Sequence, residues 1–259
     1  MDTKEQIENN AKVVEKEFKG DIAFKDVWFA YNEPTYVLKG INFSLSPGET
    51  VAFVGATGAG KSSIINLLSR FYEYQKGEIM VDGDELRDID MDLIRKNVAV
   101  VLQDVFLYSD TILNNITLGD HSISREKVIE ASKQVGAHEF IMSLPENYNF
   151  VVGERGGMLS VGQRQLISFI RAYVYNPSIL ILDEATSSID TESEELIQLA
   201  IEKLTEGRTS IIIAHRLSTI SKADKIIVMD QGEIIESGSH QELLSLDGSY
   251  KKLYDIQYK

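Results

Sequence analysis

The stretch that most constrains the fold runs from Gly55 to Ser63 and reads Gly-Ala-Thr-Gly-Ala-Gly-Lys-Ser-Ser. It follows the apolar segment 50–54 and precedes the segment 64–68, which has helical character. A strand, a Gly-x-x-x-x-Gly-Lys-Ser turn and a helix form the phosphate-binding (Walker A) loop, because glycines let successive backbone N–H groups point at one anion. The helix adds its positive end, Lys61 can reach the β and γ phosphates, and the Ser62 hydroxyl can ligate Mg²⁺. The sequence therefore predicts that the chain binds a nucleoside triphosphate.

The composition narrows the kinds of partner that a chain of 259 residues can have. Its 40 acidic and 26 basic residues give a net charge of −14, which argues against a nucleic-acid partner because such binding needs clustered Lys and Arg. The chain has no cysteine, so disulfides and thiolate metal sites are excluded. We find no apolar run of roughly 20 residues, the length that a membrane helix needs, and no apolar core of a signal peptide. The composition alone therefore predicts a soluble cytoplasmic polypeptide.

The early part of the chain has the pattern of an antiparallel sheet. Residues 1–20 are polar and charged, and we interpret them as a linker or a frayed helix. Apolar and polar residues then alternate over 22–31 and 41–45, as they do in strands with one buried face. The segment 78–85 has the same character around Asp82-Gly83, a two-residue hairpin signal. The sequence therefore predicts an N-terminal antiparallel β subdomain.

Three short runs further along are almost wholly apolar, as in parallel strands that helices cover on both faces. They are 98–102, 179–182 and 210–214. Helical patterns separate these runs, and the region from about 104 to 176 is mostly helical. We therefore predict an α/β fold for residues 21–259, with a P-loop NTPase (RecA-like) core and an inserted helical subdomain at about 104–176.

Two carboxylates, Asp183 and Glu184, follow the apolar run 179–182. In open α/β sheets, ligands bind at the carboxyl ends of the strands. A phosphate-loop enzyme needs an acid there to hold the Mg²⁺ shell, and Asp183 is the candidate. Glu184 could accept a proton from the water that attacks the γ phosphate. The alternative interpretation is a solvated acidic pair that caps the following helix.

The segment Leu159-Ser160-Val161-Gly162-Gln163 predicts the start of a second important helix. Ser160 and Gln163 have the spacing of a capping box, so we expect a helix from here through Tyr173. Its N-terminus would be another surface that favours anions. The alternative interpretation is an ordinary capped helix with no ligand.

Several groups of residues occur in a fixed order along the chain: Gly55 to Ser62, Gln103, Leu159 to Gln163, Asp183-Glu184, Ser187 to Asp190, and His215. Together they resemble the nucleotide-binding domain of ATP-binding cassette (ABC) transporters, and the resemblance extends from Asp21 to Tyr258. Residues 101–108 and 153–156 further resemble the exporter branch, which includes multidrug and lipid exporters. The resemblance implies an ATPase.

The resemblance also implies roles for individual residues. Tyr31 would stack on the adenine ring, and Glu184, His215 and Gln103 would be the catalytic residues around the attacking water. The implied phosphate-loop contacts to ATP come from Gly55, Thr57, Gly58, Ala59, Gly60, Lys61, Ser62 and Ser63. The implied Mg²⁺ ligands are Ser62, Gln103 and Asp183.

Partners follow from the same resemblance. Ser160, Gly162 and Gln163 would bind the γ phosphate of an ATP held by a second ABC domain, so that each ATP lies between two chains, and Asp190 would also cross to the partner. Closing and opening of this dimer would move an attached transmembrane domain and drive export. We therefore expect residues 1–20 to be the linker from that domain, and the chain to act at the cytoplasmic face of the cell membrane.

One position departs from the family's pattern. The signature usually reads Leu-Ser-Gly-Gly-Gln, and here Val161 replaces the first glycine. Valine lacks the backbone freedom of glycine, and its side chain crowds a surface that must approach phosphate. Two interpretations stay open: a heterodimeric exporter in which this chain supplies Glu184 to one good site and a weakened signature to the other, or a homodimer that tolerates valine.

Two other functions compete with an exporter ATPase. A soluble cassette for DNA repair or translation would carry long coiled-coil insertions or two cassettes with basic surfaces, and this sequence has neither. An interaction module that binds ATP but barely hydrolyses it would be favoured by Asp, Gln or Ser at position 184, where this chain has Glu. The sequence therefore favours the ATPase.

Overall fold

The structure, a computed structural model, describes residues 7, 9, 11–183, 191–214 and 216–258. Its strands, in chain order, are β1 (Ile22–Phe29), β2 (Leu38–Leu45), β3 (Thr50–Val54), β4 (Lys76–Val81), β5 (Asp84–Glu85), β6 (Val98–Val101), β7 (Ile179–Asp183), β8 (Thr209–Ile213), β9 (Lys225–Asp230) and β10 (Glu233–Gly238). Its α-helices are α1 (Lys61–Leu68), α2 (Met91–Asn97), α3 (Ile112–Thr117), α4 (Arg125–Gln134), α5 (His138–Ser143), α6 (Val161–Tyr175), α7 (Thr191–Thr205), α8 (Leu217–Ile220), α9 (His240–Ser245) and α10 (Ser249–Tyr258).

The first sheet is antiparallel, with the strand order β2-β1-β4-β5. The predicted hairpin joins β4 to β5: Asp82 and Gly83 have φ values of 52° and 85°, as a two-residue hairpin with positive φ at both central positions requires. Ile22, Phe24 and Phe29 of β1 are buried, while Lys25 between them is exposed. The alternation in the sequence therefore corresponds to one buried face of this sheet.

The second sheet has the strand order β10-β9-β3-β8-β7-β6. The strands β9, β3, β8, β7 and β6 are parallel to one another, and β10 pairs antiparallel with β9 at the edge. Residues of one strand pack alternately into two hydrophobic clusters: Leu180 and Leu182 of β7 belong to one, and Ile179 and Ile181 to the other. Because both faces are covered, these strands are apolar at nearly every position.

The two hydrophobic clusters correspond to the two layers that cover the parallel sheet. One cluster contains residues of α6 and α7 and of the helices between β6 and β7. The other contains residues of α1 and of the antiparallel sheet. The predicted fold class is confirmed: an α/β core carries an antiparallel β subdomain and a helical insertion. The residue limits of these subdomains remain a prediction.

The described part of the N-terminal segment lies extended against the antiparallel subdomain. Residues 14–20 and 11–12 have no helical structure, and Val13 forms a β-bridge with Ile89. The Lys12 ammonium lies 2.9 Å from a carboxylate oxygen of Asp88, and the Phe18 side chain is buried. The alternative of a frayed helix is therefore wrong for residues 11–20, because their backbone and their lysines find partners on the neighbouring acidic loop. No helix within the described residues is long and apolar enough to cross a bilayer.

Candidate nucleotide-binding site

A cavity of about 450 Å³ opens at the edge of the parallel sheet where its strands have their carboxyl ends. This edge is the expected ligand position in an open α/β sheet. The cavity is lined by Tyr31, Val37, Thr57, Gly58, Gly60, Lys61, Ser62, Ser63, Gln103, Asp183 and Ile213. The structure thus brings residues from four separate predicted motifs together in one place.

The phosphate loop has the predicted context, since β3 ends at Val54 and α1 begins at Lys61. Gly55 and Gly60 have φ values of 148° and 104°. A Cβ atom on Gly55 would lie 2.2 Å from the backbone oxygen of Met229 in β9, and one on Gly60 would lie 2.8 Å from Cδ2 of Leu38. These glycines are needed for close packing of the loop as well as for its backbone conformation.

Lys61 lies inside the loop and only 7 % of its surface is exposed. Its Nζ donates to the backbone oxygens of Gly55 at 2.7 Å and of Ala56 at 3.0 Å. Burial lowers the pKa of Lys61 below its ordinary value, and the negative charge of Asp183 opposes part of that shift. The site therefore holds a partly desolvated ammonium group, which a phosphate oxygen can pair with strongly.

Ser62, Gln103 and Asp183 line the same cavity. Asp183 is the last residue of β7, and Gln103 follows the end of β6, which pairs with β7 in parallel. The Asp183 carboxylate and the Gln103 amide therefore lie at the ends of two neighbouring strands. The Ser62 hydroxyl, in the first turn of α1, lines the same cavity. The described residues contain no group of three His, Cys, Asp or Glu side chains that could hold a metal alone. A single carboxylate, a hydroxyl and substrate phosphates are nevertheless the usual Mg²⁺ environment, so the residues present fit Mg²⁺.

Tyr31 forms one wall of the cavity and is 41 % exposed. It lies in the exposed loop 31–35 between β1 and β2. Its ring contacts Phe29 and Tyr72 edge-on, and its hydroxyl is hydrogen-bonded to side chains of α1. A ring with this exposure can stack on a planar base.

The predicted signature segment begins α6, as expected. The Ser160 Oγ accepts from the backbone N–H of Gln163 at 3.2 Å, and the Gln163 Oε1 accepts from the backbone N–H of Ser160 at 3.0 Å. The capping box is therefore complete. None of the described residues that line the nucleotide cavity comes from the signature segment, Ser160–Gln163. The N-terminal ends of α1 and α6 therefore do not share this cavity.

Val161 differs from glycine in its backbone freedom and in its side chain, and the structure separates these two differences. Val161 is the first residue of α6, and it is not among the described residues with positive φ. The backbone freedom of glycine is therefore not needed at this position, so valine's lack of it has no consequence here. The side chain of Val161 is 45 % exposed next to Ser160, so the steric argument for crowding is unaffected.

Several predicted residues do not line the cavity itself. Gly55 contributes its carbonyl to Lys61, and Ala59 is buried within the loop. Glu184, Asp190 and His215 lie outside the described residues. Their described neighbours are Asp183, at the end of β7, and Ala214, directly after β8.

Two residues that line the cavity were not predicted, namely Val37 and Ile213. Ile213 ends β8 and could have been found from the rule that ligands bind at strand ends. Val37 lies just before β2, and its backbone N–H donates to the Phe29 oxygen at 2.7 Å. No local pattern identifies Val37, because its place depends on how the loop from β1 folds back.

The cavity combines a phosphate loop, an acidic strand end, a glutamine on the next strand and an exposed aromatic ring. The sequence profile of the ABC transporter family matches residues 38–187, which is more than half of the chain. The chain belongs to the ABC transporter family. ATP-binding domains of this family hydrolyse ATP, so the predicted family and the predicted enzyme class are confirmed.

Individual members of the family are similar over nearly the whole chain. The "Probable multidrug resistance ABC transporter ATP-binding/permease protein YheH" of Bacillus subtilis is 50 % identical over 238 residues, which cover 92 % of this chain and 35 % of that protein. An ATP-dependent lipid A-core flippase of Saccharophagus degradans is 49 % identical over 240 residues, 93 % of this chain and 41 % of the flippase. The solved structure of a bacterial Atm1-family ABC exporter with ATP bound matches with a TM-score of 0.92 at 39 % identity, covering 100 % of this chain and 46 % of the exporter chain. The ABC domain described here therefore spans less than half the length of these relatives.

A second, more apolar groove of about 490 Å³ lies next to the nucleotide cavity of this ABC domain. Leu102, Phe106 and Tyr108 line it and are 52 %, 55 % and 59 % exposed. Arg171 lies in its wall and donates through Nε to the Asn115 carbonyl at 3.0 Å, while its buried Nη2 has no hydrogen-bond partner among the described residues. Leu102 lines the groove and the next residue, Gln103, lines the nucleotide cavity.

Proposed function

We propose that the chain binds ATP with Mg²⁺ in the cavity at the strand ends and hydrolyses it at the interface of a head-to-tail dimer, thereby powering export across a membrane. One observation carries this proposal. The phosphate loop and the capped start of α6 are both suited to phosphate, yet the signature residues do not line the nucleotide cavity of their own chain. A second chain is the simplest source of a nucleotide for that helix end.

Within one chain, the nucleotide lies across the cavity from Tyr31 to Asp183. Tyr31 stacks on the adenine, and Lys61 exchanges its two loop carbonyls for β and γ phosphate oxygens. The backbone N–H groups from Thr57 to Ser63 surround the phosphates. Ser62, Gln103 and Asp183 would hold Mg²⁺, which would neutralise charge on the phosphates.

Hydrolysis requires a water in line with the γ phosphate and a group that accepts its proton. Glu184 directly follows Asp183, which lines the cavity, and we assign it as the general base. His215 follows Ala214 at the end of β8, and we assign it to hold the water and the γ phosphate. Gln103 borders the same space and contacts the water from the β6 side.

The dimer completes each site. Ser160, Gly162 and Gln163 of one chain bind the γ phosphate of the ATP held by the other, and Asp190 also crosses to the partner. ATP then favours the closed dimer, and the charges produced by hydrolysis favour its opening. Ser160 is exposed at the start of α6, and its hydroxyl, which accepts from the Gln163 N–H, can still donate its own proton to a phosphate oxygen, which supports this arrangement.

We further propose that a transmembrane domain of the same transporter docks into the apolar groove, with residues 1–20 as the linker. Similar relatives carry names that include "ATP-binding/permease" and are more than twice as long as this chain. The groove exposes three large apolar side chains that water solvates poorly. Leu102 and Gln103 are adjacent, so an element in the groove is mechanically linked to the nucleotide cavity. The chain then works at the cytoplasmic face of the cell membrane.

The exposed isopropyl group of Val161, next to Ser160, supports a heterodimer in which this signature is the weaker one. The partner would carry the usual glycine there. Co-expression with a candidate partner should raise ATPase activity above that of either chain alone. Full activity from identical chains would contradict the heterodimer and leave the head-to-tail dimer intact.

The substitution Glu184→Gln tests the proposed catalytic centre. We expect ATP affinity to be retained, an ATP-dependent dimer to accumulate, and ATP turnover to fall by at least about a hundredfold, since general-base catalysis contributes that much. Turnover is measured as phosphate release, and dimer formation by size-exclusion chromatography with light scattering. Glu195→Gln, on the surface of α7, is a matched control. Undiminished hydrolysis in Glu184→Gln would contradict the assignment of Glu184.

A further inference from the structure

The hydroxyl of Tyr31 is bound to the helix that carries the phosphate-binding lysine. The Asn66 side chain donates through Nδ2 to the Tyr31 hydroxyl at 2.8 Å. The Ser63 Oγ lies 3.2 Å from the same hydroxyl, within hydrogen-bond distance. Asn66 and Ser63 both belong to α1, whose first residue is Lys61. Tyr31 is therefore connected by side-chain hydrogen bonds to the element that positions the phosphates.

The ring of Tyr31 is also fixed from the side. Its centroid lies 4.7 Å from that of Phe29 at an interplanar angle of 76°, and 4.8 Å from that of Tyr72 at 89°. Phe29 is 1 % exposed, so it belongs to the core and does not move freely. Edge-to-face contacts of this kind stabilise a ring pair beyond the area that they bury.

These contacts matter because the loop around Tyr31 has few others. Residues 31–35 are all exposed. Within this loop, the backbone N–H of Thr35 donates a hydrogen bond to the Asn32 oxygen at 3.3 Å. A tyrosine held only by such a loop would lose rotational freedom when a base stacks on it, and that loss would weaken binding. A ring fixed beforehand avoids that cost.

We propose that Asn66 and Tyr72 are positioning residues for the adenine site: they hold Tyr31 at a set distance from the phosphate loop and thereby favour ligands that carry a base at that distance. This inference rests on the proposed stacking of Tyr31 on adenine. Neither Asn66 nor Tyr72 is among the residues that line the cavity, so both act through Tyr31.

The test compares the affinities of the chain for MgATP and for magnesium tripolyphosphate, which has the phosphates but no base. We expect Tyr31→Phe, which removes only the hydroxyl, and Asn66→Ala each to weaken ATP binding about three- to tenfold, as the loss of one neutral hydrogen bond does. Tripolyphosphate affinity should change less than about twofold, since its contacts do not involve the ring. The double variant should bind ATP no more weakly than Tyr31→Phe alone, because the hydroxyl that Asn66 binds is already absent in that variant. Tyr72→Leu should show the same selective loss for ATP.

Asn114→Ala is the matched control, since Asn114 is an exposed helical asparagine whose side-chain amide donates to the nearby Asp110 carboxylate at 2.9 Å. Equal losses for ATP and tripolyphosphate would overturn the inference, because they would indicate a general loss of structure. Tyr31→Phe stays informative if Asn66→Ala folds poorly, since it deletes a single oxygen atom and keeps the ring.

Tyr31→Ala separates this inference from the function on which it rests. If Tyr31→Ala weakens ATP binding selectively but Tyr31→Phe and Asn66→Ala do not, the positioning role is overturned and base stacking is retained. If Tyr31→Ala leaves ATP affinity unchanged, base stacking itself is contradicted and the inference falls with it.

Discussion

Gly55 of the phosphate loop packs tightly against the neighbouring strand β9. A Cβ there would approach the Met229 backbone oxygen to 2.2 Å, whereas a Cβ on Gly58 would meet no atom within 4 Å. Both residues have positive φ, 148° and 84° respectively. The two glycines therefore separate the cost of a left-handed backbone from the cost of a backbone collision.

We predict that Gly58→Ala lowers the free energy of unfolding by about 1 kcal/mol, the cost of a strained backbone. Gly55→Ala should lower it by more than about 3 kcal/mol, because strand β9 or the loop must also move. Urea denaturation of both variants, each with an unchanged m-value, measures the difference. Equal losses would mean that the contact with Met229 is relieved without cost.

The pKa of Lys61 gives the nucleotide site a pH dependence with a definite sign. Burial lowers this pKa, so Lys61 loses its proton at a lower pH than an exposed lysine does. ATP favours the charged ammonium, and its affinity must fall as the pH rises through the lowered pKa.

We therefore expect ATP affinity to decrease as the pH rises through a range that lies below the one in which an exposed lysine titrates. Isothermal titration calorimetry at several pH values measures this decrease, and in buffers of different ionisation enthalpy it also detects proton uptake on binding. Lys61→Arg is the control, since a guanidinium stays charged over this range. A flat profile in the wild type would contradict the role given to Lys61.

At the scale of elements, α6 and α9 begin with the same N-terminal capping motif. Ser160 with Gln163 and Ser239 with Glu242 both form complete capping boxes. These two helix starts of the described residues share the capping-box geometry, although α9 has a carboxylate where α6 has a neutral amide, and only α6 is assigned to a partner's nucleotide.

We predict that Ser160→Ala and Ser239→Ala each lower the free energy of unfolding by about 1 kcal/mol, the usual contribution of an N-cap. Only Ser160→Ala should weaken the ATP-dependent dimer of the Glu184→Gln chain, because only that hydroxyl would reach ATP in the partner. Analytical ultracentrifugation with ATP measures dimer affinity for both variants. Equal effects on the dimer would argue against the assignment of α6 to the interface.

At the scale of the whole molecule, the nucleotide cavity and the apolar groove meet at one segment, because Leu102 and Gln103 face different spaces. The chain has no cysteine, so a single substitution introduces a unique thiol. Phe106 and Leu246 are both exposed apolar residues, at 55 % and 65 %, and only Phe106 lines the groove.

We expect Phe106→Cys, labelled with a maleimide photo-crosslinker in the full-length transporter after replacement of any cysteines outside this domain, to be joined to the membrane domain. Leu246→Cys is the control and should give at least about fivefold less product, as expected when only one position lies within an interface. Cleavage in the linker followed by electrophoresis detects the product. Equal yields from both positions would contradict docking into the groove.

Much of the fold could be predicted from the sequence because its signals are local. The hairpin at Asp82-Gly83, the strand before the phosphate loop and the capping box at Ser160 each depend on residues within a few positions of one another. The apolar runs predicted buried strands for the same reason, since burial on both faces leaves no alternation. The N-terminal segment was less predictable, because the lysines that bind it to Asp84 and Asp88 find their partners more than 60 residues away.

The sequence by itself determined which helices and strands form and which side chains lie at their ends. These features depend on short-range backbone preferences and on the spacing of motifs, both of which involve residues close together in the chain. Only the tertiary structure decided that Tyr31 is bound to Asn66 and that Gly55 faces Met229. These facts arise from contacts between segments far apart in the chain. Packing selects them only when all the elements are in place.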